Sequence, residues 1–103
     1  MTSHAAQWWV DLSAEDAADA TAKLNEYGSQ DLVSIGQDLS LMMGWQTTPE
    51  VAAELGAAFY LRGKVARMVE AYRGKFVPSD DTIKDVVAYG MMIRRIREVG
   101  GWK

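Results

Sequence analysis

The chain has 103 residues, 49% apolar and 24% charged, with no cysteine and a formal net charge of −3. That length fits one domain. Without thiols there are no disulfides or thiolate metal sites, and a reducing cytoplasm is the natural home. A sequence pI near 5.0 argues against general nucleic-acid binding, which calls for a basic face that competes for phosphates. No run approaches the roughly 18 to 20 apolar residues of a membrane span, and the N-terminus lacks the basic-then-apolar pattern of a signal peptide. The expectation is a cytoplasmic protein with no membrane association.

Residues 1–12 read as an N-terminal tail or lid, carrying the single histidine, His4, and the pair Trp8 and Trp9. One or both indoles are expected to lie over the core as a lid, or else to form a dimer contact. In "LSAED", Ser13 reads as the N-cap of a first helix that runs to Tyr27 and stops at Gly28. Ser29 then caps a second helix, with Leu32, Ile35, Leu39 and Met42 at three- and four-residue spacing, ending near Gly44. "TTPEV" is the strongest start signal: Thr48 caps, Pro49 is preorganised for the first helical position, and Glu50 meets the dipole. The third helix extends to about Arg73, before Gly74. Ser79 caps a fourth, with Asp80 and Asp81 in its first turn and Gly100 after its last residue, Val99. "GKFVP" between them is briefly extended at most. The fold class is all-α, a four-helix bundle-like single domain spanning 1–103, with the long third helix in an antiparallel hairpin with the fourth.

At about 100° per residue the third helix has two unlike sides. Val51, Leu55, Ala58, Phe59, Val65, Ala66, Val69 and Tyr72 form a broad apolar arc; Ala52, Ala53, Gly56 and Gly63 lie opposite. Glycine within a helix costs up to about 1 kcal/mol relative to alanine, so close approach of another helix is expected on that side, from within the bundle or from a second subunit. A homo-oligomer, a dimer first of all, follows. Arg62 interrupts the arc, either snorkelling at the bundle edge or meeting an acid such as Asp85 or a phosphate.

Asp81 and Asp85 are one turn apart on the fourth helix, at the head of a stripe continued by Tyr89, Met92 and Ile96. Asp85 lies beyond the first turn, where the helix dipole no longer accounts for an acid. It either pairs with a cation from a neighbouring helix or joins Asp81 as a hard oxygen ligand for Mg²⁺. Lys64 and Arg67 share one flank of the third helix, and Glu50 and Glu54 lie one turn apart near its start. The arginines of "RRIRE", 94–98, complement the helix dipole. No histidine-centred triad, zinc motif or glycine-rich phosphate loop is present.

"EYGSQDL", "GKVARM" and "DDTIKDVVAYG", in that order across Glu26 to Met92, resemble landmarks of small phage-encoded proteins related to the MazG-like all-α nucleoside triphosphate pyrophosphohydrolases, including a phage group associated with nucleotide modification. The resemblance implies a MazG-like helical bundle, dimeric or tetrameric, that holds Mg²⁺ on acidic residues and splits a nucleotide between its α- and β-phosphates. Asp85 matches the terminal aspartate of the family's Glu-x-x-Asp half-motif. Thr82 stands where its glutamate belongs, with Asp81 as a shifted substitute, and "EVAAE" supplies only Glu50 and Glu54 in place of Glu-Glu-x-x-Glu. Lys64 and Arg67 match a basic pair of the phage group.

The expected function is therefore that of a phage-type nucleotide-binding protein, either a weak or degenerate Mg²⁺-dependent pyrophosphohydrolase or a non-catalytic binder, acting in the host cytoplasm. Asp81 and Asp85 would hold metal, Lys64 and Arg67 phosphate, and Tyr89 or Trp45 would stack on a base. The alternatives are a helical interaction protein that binds a host protein through Trp8, Trp9 or Trp102, and a sponge that sequesters a nucleotide signal.

Overall fold

The computed structural model describes residues 4–26 and 29–100, with the side chains of 23–30 excepted. The expectations placed on Tyr27, Gly28, the Ser29 side chain and Trp102 lie outside the described residues. Four helices account for the fold: α1 (His4–Glu26), α2 (Ser29–Met42), α3 (Pro49–Arg73) and α4 (Asp80–Val99). No strand occurs among the described residues.

The caps fall where local chemistry puts them. The Thr48 hydroxyl accepts from the Val51 backbone N–H at 3.3 Å, and the Ser79 hydroxyl accepts from that of Thr82 at 3.2 Å. Each satisfies one of the donors that a helix start leaves without a partner. At the end of α2 the N–H of Gly44, at φ 72°, reaches Leu41 and that of Trp45 reaches Ser40, the paired bonds of a Schellman stop. The same pattern closes α3, but its left-handed residue is Lys75, at φ 67°, and Gly74 keeps an ordinary φ of −80°. A lysine carries in that position a steric cost that glycine avoids.

The first helix differs from the sequence expectation. It begins at His4, and Ser13 lies in its interior. "HAAQWWVDL" contains no glycine or proline and holds Ala5, Ala6, Gln7 and Leu12, good helix formers that outweigh one serine in the middle. The Gln7 amide also donates to Asp11 one turn on, at 2.9 Å. Residues 4–12 are thus helix and not a tail. Trp8 and Trp9, edge to face at 4.8 Å, are 57% and 62% exposed, so neither covers the core.

Packing is pairwise: α2 on α3, α3 on α4, α4 on α1, with no contact between α1 and α2 or between α2 and α4 among the described residues. The helices therefore form an open row of extents 49 × 38 × 21 Å. The radius of gyration of 15.7 Å exceeds the roughly 13 Å of a closed domain this long. The core is correspondingly small, built on Leu32, Ala53, Ala57, Tyr89, Met92 and Ile96, with Ala20 from α1.

The α2–α3 contact explains two of the glycines. A Cβ on Gly36 would stand 1.6 Å from the Ala52 carbonyl oxygen, and one on Gly56 would stand 2.1 Å from that of Leu32. The backbones touch there, so Ala52, Ala53, Gly56 and Ala57 are the buried residues of α3. Its large apolar arc, the side that periodicity makes most conspicuous, stays largely open: Phe59, Val65, Val69 and Tyr72 are all exposed. Gly63 does not share in the close approach, since among the described residues nothing lies within 4 Å of a Cβ built on it.

Candidate functional site

The hairpin of α3 and α4 brings two of the expected site residues together. Because the helices run antiparallel, Glu54 meets Arg97 at one end of the contact and Lys64 meets Asp85 at the other. The Lys64 ammonium sits 3.0 Å from Asp85 Oδ2, with the two side chains 20% and 26% exposed. Between these ion pairs the Tyr60 ring stacks on Tyr89, centroids 5.8 Å apart and planes 8° from parallel. That stack fixes the side of α3 from which Lys64 projects.

Positions 60, 64 and 67 follow i, i+4, i+7 and lie on one face of α3. Beside them a recess of about 220 Å³ is lined by Phe59, Tyr60, Arg62, Gly63, Lys64 and Arg67. Three cationic side chains and two rings thus converge on one hollow, Phe59 standing edge to face on Tyr60 at 6.1 Å. Gly63 keeps the hollow open because it has no side chain to fill it. Among the described residues, Arg62 and Arg67 have no ionic partner, whereas Lys64 is shared with Asp85. An anion entering here meets two uncommitted guanidinium groups, whose forked donors match phosphate oxygens.

The other expected site residues lie elsewhere. Tyr89 is 1% exposed and belongs to the core, so the rings that face the recess are Tyr60 and Phe59. Trp45 is 54% exposed beyond the end of α2. It stands two residues past Met43, which lines an apolar groove with Phe59 and Arg62, but it does not line the recess itself. Trp8 and Trp9 lie on α1, which among the described residues touches only α4.

Asp85 engages Lys64 of α3, and exposed Asp81 adds a small share of the negative charge around Lys84. Lys84 bonds Glu15 at 3.0 Å. Its pKa is raised above 10.5, first by the hydrogen bond to Glu15, then by the charges of Glu15 and Asp19, and less by Asp81. Among the described residues no three carboxylate or imidazole groups converge. As arranged, the donors do not fit Mg²⁺, which takes several oxygen ligands in near-octahedral geometry and at Asp85 would have to displace an ammonium group. Glu54 is likewise committed, to Arg97.

No family profile, no curated protein and no solved structure matches the chain. No helix is long and apolar enough to cross a membrane among the described residues.

Proposed function

We propose that the protein is a phage-type, MazG-like nucleotide-binding protein whose recess on α3 takes the phosphates. Arg62 and Arg67 supply the forked donors, Lys64 adds a point charge, and Tyr60 or Phe59 offers a ring to the base. The observation that carries this reading is the convergence of three cations and two rings on one hollow, in a chain whose net charge is −3. What is proposed is binding, since the carboxylates as arranged do not supply the ligand set of a pyrophosphohydrolase.

Titration with nucleoside mono-, di- and triphosphates, followed by thermal shift and calorimetry, tests it. A bound nucleotide stabilises the native state by mass action. Gly63→Leu should fill the recess and abolish binding without loss of fold, because the new side chain points into open space. Asp85→Asn gives the sharper result. Freed from its carboxylate, Lys64 should hold phosphate more tightly, by roughly three- to tenfold, a change of about 1 kcal/mol. Were Asp85 a metal ligand, the same substitution would abolish Mg²⁺-dependent binding. No shift with any nucleotide at millimolar concentration removes the reading.

A second reading rests on Trp8 and Trp9, two large rings side by side on the exposed face of α1. They suit a host-protein contact, because aromatic anchors dominate protein interfaces. A complex of defined stoichiometry that is lost in a Trp8→Ala/Trp9→Ala variant, with nucleotides inert, favours it over the first.

A further inference from the structure

The uncovered side of α3 has a period of its own. Leu55, Ala58, Arg62, Val65, Val69 and Tyr72 are spaced three, four, three, four and three residues apart, the a and d positions of a heptad repeat. Val51 extends the row four residues earlier, so it runs for three heptads, the length at which such a pattern argues for a coiled coil. Among the described residues nothing completes this seam. α2 and α4 occupy other sides of α3, and Val65, Val69 and Tyr72 are 42%, 45% and 56% exposed. An apolar groove of about 360 Å³ beside it, lined by Leu39, Met43, Leu55, Ala58, Phe59 and Arg62, widens the face.

We infer that a second copy of this chain covers the seam, with the two α3 helices antiparallel. Self-pairing fits for three reasons. A heptad seam with one polar a position is self-complementary, and the polar residue sets register. In the register given below, residues 54–73 of the two copies overlap for about 30 Å, and the groove shared with α2 widens that face. The open row of helices, 21 Å thin, lacks the second layer that closes a helical domain, and another copy supplies it.

Arg62 selects the direction. In a parallel pair the two Arg62 guanidinium groups would share one a layer, like charges within an apolar seam. An antiparallel pair sets a against d. Arg62 then lies opposite the partner's Val65 and its charged end can reach the rim. The same register puts Ala58 opposite the partner's Val69, small against larger, and Leu55 opposite the partner's Tyr72, which meets the apolar groove. This inference does not depend on nucleotide binding.

Analytical ultracentrifugation of the full chain at about 100 μM should give a dimer, twice the 11.4 kDa chain mass. Val65→Glu/Val69→Glu should sediment as a monomer with unchanged helical circular dichroism, since both positions face solvent in the single chain. The chain has no cysteine, so introduced thiols report without background. With a short bis-thiol reagent, Ala58→Cys/Val69→Cys should cross-link into dimers and Val69→Cys alone should not, because in this register the two copies of position 69 stand about 16 Å apart along the axis. A wild-type monomer at that concentration overturns the dimer. Efficient cross-linking of Val69→Cys alone overturns the antiparallel register. Cross-linking also decides the matter if the glutamate variant fails to fold.

Discussion

Along one side of α3 run Ala52, Ala53, Gly56 and Ala57, all buried; along the other run Leu55, Val65, Val69 and Tyr72, half-buried or exposed. By hydrophobicity alone the second side should have been taken into the core, since each large side chain would bury far more area than an alanine. The chain buries the first side instead, because residues without bulk let two backbones touch, at Gly36 with Ala52 and at Leu32 with Gly56. Close approach brings many atoms to contact distance at once, and those contacts are collectively large although each is small. The helix is thus sided twice over: its small residues organise the monomer, and its large residues remain for something outside it.

Bulk added to the small side should have the largest effect. Gly36→Ala and Gly56→Ala each drive a Cβ into a main-chain oxygen, which no side-chain rotation relieves. Each should cost at least about 3 kcal/mol, at or beyond the upper end of ordinary overpacking, and lower the melting temperature accordingly. If Gly56→Ala melts like the wild type, the α2–α3 contact is not as described.

Two tyrosines, one buried and one exposed, should respond differently to truncation. Tyr89→Ala removes a buried ring from the core and its stacking partner from Tyr60, and should cost about 3 to 5 kcal/mol, the range for large aromatic truncations. Tyr72→Ala, on the open side, should change the stability of the single chain by no more than about 0.5 kcal/mol in urea denaturation at low micromolar concentration. A large monomer effect at Tyr72 would mean that the open side is covered from within the chain.

The smallest effect belongs to α1, which docks on α4 away from both sides of α3. The folded-state pKa of Lys84 is raised, so its stabilising contribution is complete below about 10.5 and is lost as pH climbs through the folded value. Melting curves at pH 9 and pH 11.5 should therefore converge between the wild type and Lys84→Met as pH rises. Equal separation at both values would show that the bond to Glu15 is not what holds the helices together there.

Much of the candidate site was legible from spacing. Lys64 and Arg67 reach one recess, and a cation from the neighbouring helix does meet Asp85. Tyr60 could have been found from the same i, i+4, i+7 row, but Tyr89 carried the stronger signal because it follows Asp81 and Asp85 along α4. Its burial was not readable, since a tyrosine at a helical apolar position serves equally well as core or as platform. Trp45 does not line the recess, and a tryptophan in the loop between two helices has no periodicity that would place it.

What the sequence by itself determined was local. The end of α2, the start of α3 and both ends of α4 follow from Gly44, Thr48, Pro49, Ser79 and Gly100, whose effects act within one helical turn. The same locality explains the misplaced start of α1, where Ser13 resembles a cap but a run of helix formers continues on both sides of it. Only the tertiary structure decided which side of α3 is buried. Periodicity separates two faces but carries no information about how near another backbone can come, and that distance, set jointly by Gly36 on one helix and Gly56 on the other, turned the small side inward.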